Sequence, residues 1–182
     1  MSAVPPILLF GYGNPGRGDD ALGVLLQDAI TVQQLPGVEC QTDMQLQVEH
    51  ITDLEGREYV LFIDADVGCA EPYVLETLTA QQDGSYTSHA MSPAAVLHAF
   101  RQVYGKDAPP AYLLRIRGYS FELGEGISAQ AAENLHAALQ ATTQMLIGIG
   151  QTNGVSYENA DQAGYRQRLV IIQQPCTGWR VC

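Results

Sequence analysis

The pattern of apolar and polar residues predicts a strand, a glycine-rich loop and a helix at the start of the chain. Residues 7–10 form a short continuous apolar run, which is typical of a buried strand. The following segment contains glycines that tolerate the backbone angles of a tight turn, at Gly11, Gly13, Gly16 and Gly18. Apolar residues then recur with the spacing of one helix face, at Leu22, Leu25, Leu26 and Ala29.

Strands and helices continue to alternate along most of the chain. Further strands are predicted at 38–42, 59–63, 73–79 and 111–117, and further helices at 48–54, after the Ser92-Pro93 start signal and after Ser128. The alternation favours one three-layer α/β/α domain with a mostly parallel, doubly wound sheet, and segment 73–79 can form an antiparallel edge strand. We expect this domain to span 1–147, followed by a C-terminal extension at 148–182 for which the pattern assigns no structure.

Composition and charge narrow the classes of partner. The 182 residues carry 20 acidic and 9 basic side chains, a formal charge of −11. Phosphate-backbone binding depends on basic side chains, so we expect no nucleic-acid partner. No apolar run approaches the ~18 residues of a membrane helix, and the N-terminus lacks the pattern of a signal peptide. The cysteines show no paired spacing, so we expect reduced thiols in a cytoplasmic protein. We also expect no membrane partner and a monomeric state.

Candidate chemistry lies where predicted elements end. Asp20 follows the first strand, Asp64 follows the third, and His89 precedes a helix. In a doubly wound sheet of order 2-1-3-4-5 the first and third strands are neighbours, so Asp20 and Asp64 would face one crevice. Two carboxylates and an imidazole suit Zn, Ni, Mn or non-haem Fe, and three ligands with an open position indicate a catalytic metal. Such a trio also arises by chance, so the residues alone leave the metal site as one alternative.

Other acids and histidines have simpler interpretations. Asp19 is expected to be structural, as a cap that accepts amide hydrogens at a helix start. Asp66 can replace Asp64, although the end of the strand is the better-fixed position. The remaining histidines are interpreted as packing or surface residues, namely His50, His98 and His136.

Four separated segments together resemble one protein family. Residues 11–23, Gly-Tyr-Gly-Asn-Pro-Gly-Arg-Gly-Asp-Asp-Ala-Leu-Gly, resemble the G-x-G-N-x(4)-D-[DE]-x-x-G opening of the [NiFe]-hydrogenase maturation endopeptidases. Residues 62–68 are similar to that family's second motif, Ser88-His89 lies at the distance expected for its histidine, and 121–128 is similar to its closing segment. The resemblance covers 7–147.

The resemblance implies both an activity and a set of site residues. Asp20, Asp64 and His89 would be the metal-contacting and catalytic residues, and Asn14 and Asp43 would contact substrate. The enzyme would recognise nickel already inserted in the hydrogenase large-subunit precursor and remove a C-terminal peptide. The nickel would therefore come with the substrate. Many family members have an Asp-Gly-Gly-Thr-like loop where this chain has Asp43-Met-Gln-Leu46, which implies a different hydrogenase partner.

Two other functions have weaker support. Residues 13–16, Gly-Asn-Pro-Gly, also open the peptidyl-tRNA hydrolases, but the acidic segment that follows and the charge of −11 disfavour such an esterase. A non-catalytic, flavodoxin-like module would bind an anion at the N-terminus of the first helix. Asp19 and Asp20 would repel a phosphate at that position.

Overall fold

The computed structural model describes residues 4–82 and 90–152, with the backbone alone for 151 and 152. Within these residues one sheet has the strand order β2-β1-β3-β5-β4. The strands are β1 (Ile7–Tyr12), β2 (Val38–Asp43), β3 (Tyr59–Asp66), β4 (Tyr73–Leu78) and β5 (Ala111–Arg117). The first, second, third and fifth are parallel, whereas β4 runs antiparallel to β5 with Tyr73 opposite Ile116. The predicted mostly parallel sheet with an antiparallel edge strand is confirmed.

Helices cover both faces of the sheet. They are α1 (Leu22–Gln33), α2 (Pro93–Tyr104) and α3 (Ala129–Thr152), and two 3-10 segments span Gly18–Ala21 and Val48–Leu54. Side chains alternate between the two faces of a strand. Phe10 and Phe62 pack beneath α2 with Phe100, while Leu9 and Ile63 belong to the opposite core under α1 and α3. The predicted three layers are confirmed.

The strand order differs from 2-1-3-4-5 at one edge. β5 lies beside β3, and β4 is outside it. The apolar residues of β5 are largely buried, whereas most side chains of β4 are partly exposed. A strand buried on both faces is stable in the interior of a sheet, and a half-exposed one is stable at its edge. The adjacency of β1 and β3, on which the predicted crevice depends, is present.

Two elements differ from their predicted form or length. Segment 48–54 is a 3-10 helix, and β3 continues three residues past Ile63 to Asp66. The extension arises because β3 continues to pair with β5 as far as Asp66 and Arg117. Asp64 and Asp66 are therefore strand residues, and not loop residues as the sequence had suggested.

The end of the chain is described only in part. Helix α3 runs to Thr152, while His89 and residues 153–182 lie outside the described residues, so the expectation for the extension stays a prediction. In the described part, no helix has the length and apolar character needed to cross a membrane. Cys40 and Cys69 are free thiols.

Helix α1 packs against the sheet at very close range. A Cβ atom at Gly23 would overlap the carbonyl oxygens of Tyr12, the last residue of β1, and of Ile63 in the second half of β3. Only a residue without a side chain permits this distance. The contact brings the start of α1, and the loop before it, directly over these two strands.

We expect Gly23→Ala to lower the free energy of unfolding by about 1 to 3 kcal/mol, since the added methyl group forces a shift of backbone atoms. The measurement is urea denaturation followed by circular dichroism. The matched control is Gly148→Ala in α3, where an added Cβ meets no atom within 4 Å. This control should raise the free energy of unfolding by about 0.5 to 1 kcal/mol through helix propensity. Equal effects of the two substitutions would contradict the close packing of α1.

Candidate active site

The loop after β1 presents Asp20 at the carboxyl edge of the sheet. Gly13 has φ +135°, and a side chain there would overlap the carbonyl oxygen of Asp20. This close approach allows the Asn14 amide to donate to Oδ2 of Asp20 at 2.9 Å. The Asp20 side chain is partly exposed. The loop therefore fixes one carboxylate oxygen by a backbone hydrogen bond and leaves the group accessible.

Asp64 lies on β3, the strand next to β1. Its Oδ1 accepts a hydrogen bond from the Ala65 amide at 2.8 Å. Burial raises the pKa of Asp64 to about 6, even though hydrogen bonds from Tyr12 and Ala65 act in the opposite direction, and the negative charges of Asp20 and Asp66 raise it further. The structure thus brings Asp20 and Asp64 close enough for one charge to act on the other.

Tyr12 is a site residue that the sequence analysis missed. Its side chain is hydrogen-bonded to Asp64, and burial together with the Asp64 charge raises the pKa of the phenol well above its ordinary value. The phenol therefore stays protonated and donates to the carboxylate. The signal was present, because Tyr12 follows Leu8 and Phe10 at alternate positions of β1 and so belongs to the face that carries Asp64.

Asp66, the alternative to Asp64, is already engaged by protein groups. Its Oδ2 contacts the Arg115 guanidinium at 2.8 Å, and its Oδ1 accepts from the amides of Gly68 and Cys69. The Gly68 hydrogen bond, opposed by burial and assisted by Arg115, lowers the pKa of Asp66. These contacts make Asp64, and not Asp66, the carboxylate with unused acceptor capacity on this strand.

Asp19 is structural, but its partners differ from the expected ones. It does not cap α1; its fully buried carboxylate accepts from the amides of Tyr119, Ser120 and Ser128 at 2.7, 3.0 and 2.6 Å and from the Ser128 hydroxyl at 2.8 Å. Burial alone would raise the pKa of Asp19, but these hydrogen bonds outweigh it and lower the pKa. Asp19 therefore ties the loop after β1 to the loop after β5 and to the start of α3.

The two predicted substrate contacts are Asn14, in the loop after β1, and Asp43, the last residue of β2. The Asn14 side chain accepts from the Gly16 amide at 2.9 Å, which stabilises its own loop. Asp43 ends β2, and its carbonyl oxygen accepts from the Gly13 amide at 3.2 Å. Its carboxylate contacts the Met44 amide at 2.6 Å and His50 Nε2 at 3.3 Å. Asp43 thus adjoins the loop that holds Asp20.

His89, the third predicted metal contact, lies outside the described residues, so its place stays a prediction. Two residues later, the Met91 amide donates to the Leu46 carbonyl oxygen at 2.8 Å, which joins the start of α2 to the loop after β2. In the described part of the chain, no group of three His, Cys, Asp or Glu side chains is arranged to hold a metal ion. His136 is exposed on α3 and contacts Gln140, in line with a surface role.

Solved structures of known proteins share this arrangement of strands and helices. HycI, a [NiFe]-hydrogenase maturation protease of Thermococcus kodakarensis, is 21% identical with a TM-score of 0.61, and the match covers 79% of this chain and 93% of that one. HybD, a hydrogenase maturating endopeptidase of Escherichia coli, is 25% identical with a TM-score of 0.60 and the same coverage, 79% and 93%. A further endopeptidase from Escherichia coli is 24% identical with a TM-score of 0.58, covering 80% and 93%.

These solved structures show which kinds of protein share the fold. The three-layer domain is one that known peptidases share. The predicted resemblance is confirmed: the chain has the fold of the hydrogenase maturation endopeptidases. No protein-family model and no curated protein sequence matches the chain.

We expect Asp64→Asn to stabilise the protein at neutral pH. The pKa of Asp64 in the folded state, about 6, lies above the ordinary value of 3.8, so its ionisation weakens the folded state as the pH rises through this interval. The variant should gain about 1 to 3 kcal/mol at pH 7.5. The gain should shrink as the pH falls from about 6 toward 3.8 and be absent at lower pH. Denaturant unfolding across this pH range measures the effect.

The matched control is Asp66→Asn on the same strand. Because the pKa of Asp66 is lowered, its carboxylate stabilises the folded state above the ordinary pKa, and this contribution is lost as the pH falls through the lowered value. This variant should be destabilised at pH 7.5. The same sign for both variants would contradict the environments assigned to these two acids.

Asp19→Asn and Asp20→Asn should separate two neighbouring acids by stability. The Asp19 variant places amide hydrogens against three backbone donors, and we expect a loss of about 2 to 4 kcal/mol. The Asp20 variant keeps an oxygen for the Asn14 amide, and we expect about 1 kcal/mol or less. Urea denaturation measures both, and a larger loss for Asp20→Asn would refute the structural role of Asp19.

Proposed function

We propose that the chain is the endopeptidase that removes the C-terminal peptide of a [NiFe]-hydrogenase large-subunit precursor after nickel insertion. The observation that carries the proposal is the placement of Asp20 and Asp64 at the carboxyl ends of β1 and β3. They lie within a fold shared with HybD and HycI. Ligand sites in open α/β sheets occupy this edge.

Asp20 and Asp64 are suited to contact a metal ion that the substrate carries. Both residues are partly exposed. One oxygen of each carboxylate accepts a backbone hydrogen bond, from the Asn14 amide to Asp20 and from the Ala65 amide to Asp64. Carboxylate and imidazole ligands suit nickel, and His89 would supply the imidazole. A metal held by the substrate would polarise the scissile carbonyl group or lower the pKa of a bound water. A nickel-free precursor would lack this shared ion.

Asp64 also has a protonation equilibrium suited to proton transfer. With a pKa of about 6, it exchanges a proton close to neutral pH, where a general acid or base is most effective. The Tyr12 hydroxyl holds it in one orientation. We assign Asp64 the role of proton carrier when it is not engaged by the metal, with Tyr12 as its positioning residue.

The charge at this edge supports a cation-bearing client over an anionic one. Asp20, Asp43 and Asp64 all lie in the last residues of the strands or in the loop that follows. A phosphate would meet these carboxylates, which is unfavourable at close range. Both the flavodoxin-like module and the peptidyl-tRNA hydrolase are disfavoured by this arrangement.

The test is incubation of the purified chain with a nickel-loaded large-subunit precursor and with the same precursor free of nickel. We expect loss of the C-terminal peptide, read by mass spectrometry, from the loaded form alone. Asp20→Asn, Asp64→Asn and His89→Ala should each lower the rate by about 100-fold or more. Asp28→Asn is the control, since Asp28 is exposed on α1. Cleavage of both precursor forms alike would refute recognition through nickel.

A further inference from the structure

A second carboxylate at the same edge is paired with a histidine that the proposed mechanism does not use. Asp43 Oδ2 lies 3.3 Å from His50 Nε2. The side chain of His50 is 14% exposed and that of Asp43 is 36% exposed, so the pair extends from the interior to the surface. His50 reaches this position from the 3-10 segment Val48–Leu54, which follows the loop after β2.

Both ring nitrogens of His50 have a partner. The Gln47 amide donates to Nδ1 at 2.9 Å, so Nδ1 must carry a lone pair and no proton. In the neutral ring the proton is then on Nε2, the nitrogen that lies 3.3 Å from Asp43 Oδ2. The ring also packs on Phe10 with centroids 4.7 Å apart. Backbone and core therefore fix the tautomer and the orientation of the imidazole together.

His50 and the Met44 amide both contact the Asp43 carboxylate, and they leave some of its hydrogen-bond acceptor positions unused. Oδ1 accepts from the Met44 amide at 2.6 Å, and Oδ2 lies 3.3 Å from His50 Nε2. Each carboxylate oxygen has room for a further hydrogen bond. In the sheet register Asp43 is paired with Tyr12, whose hydroxyl holds Asp64. Neighbouring strands are about 4.8 Å apart. Asp43 thus lies one strand away from β1, whose following loop carries Asp20, and two strands away from Asp64 on β3.

We infer that His50 is a positioning residue that holds Asp43 ready to accept a hydrogen bond from an N–H donor of the precursor. The inference rests on the proposed function for its substrate and adds a residue to its binding surface. An aliphatic side chain would also pack on Phe10. Only a group that accepts from Gln47 and also places a polar N–H beside Asp43 reproduces the two polar contacts.

The first test is independent of cleavage. Two-bond ¹H–¹⁵N spectra of the uniformly labelled full chain at pH 7.5 report the tautomer of each histidine. We expect the Nε2–H form for His50. An Nδ1–H form or an imidazolium at this pH would overturn the inference, because neither can accept the Gln47 hydrogen bond.

The second test measures cleavage of the nickel-loaded precursor by variants of the full chain. His50→Leu and Asp43→Asn should each raise KM by about 10-fold, the loss of one charge-assisted hydrogen bond, with kcat changed by less than about twofold. The double variant should match either single one, because both remove the same contact. His50→Gln places an N–H donor near Asp43, so its KM should be close to that of the unaltered chain.

Controls separate the possible failures. His136→Leu, on the exposed face of α3, should leave KM unchanged, and the unfolding midpoint of each variant shows whether it is folded. An unchanged KM in folded His50→Leu, or additive effects in the double variant, would overturn the inference while the proposed function stands. No cleavage by the unaltered chain would overturn the proposed function and the substrate contact, and the spectra would still report the His50–Asp43 pair.

Discussion

The buried carboxylate of Asp19 accepts hydrogen bonds from Tyr119, Ser120 and Ser128. An ion inside a protein is stable only when such donors replace water. This requirement joins three segments distant in sequence: the loop after β1, the loop after β5 and the start of α3. Asp20 follows immediately, so its place at the edge of the sheet depends on its neighbour. One acid is fully buried and joins segments of the fold, and the next one is partly exposed at the edge of the sheet.

Asp64 and Asp66 show how one strand gives opposite properties to the same side chain. Asp66 has Arg115 and two backbone amides, which lower its pKa. Burial removes hydration from the Asp64 carboxylate. The hydrogen bonds from Tyr12 and the Ala65 amide do not compensate for this loss, so the pKa of Asp64 is raised. A carboxylate whose ionisation weakens the fold is held there by the surrounding structure. Such a group is a candidate for function for that reason.

Much of the fold follows from local pattern. The apolar run at 7–10 predicts a buried strand, and the run at 59–63 predicts a central parallel one, since both faces are covered. The alternation of 73–79 predicts an edge strand. The strand order beyond β3 was not accessible, because it depends on which strand buries more apolar surface against the helices. The extension of β3 to Asp66 depends likewise on its pairing with β5. The polar sequence of residues 64–66 is typical of a loop, but these residues form part of a strand because β5 supplies their backbone hydrogen bonds.

The sequence by itself determined the strand–glycine loop–helix opening, the association of Asp20 with the first strand and of Asp64 with the third, and the structural assignment of Asp19. It did so because these features depend on spacing and on backbone conformation. Only the tertiary structure decided that Asp19 binds segments a hundred residues away, that Tyr12 holds Asp64, and that His50 orients Asp43. These contacts join separate elements, and their distances are set by how the sheet and helices pack. Such packing leaves no periodic pattern in the amino-acid sequence.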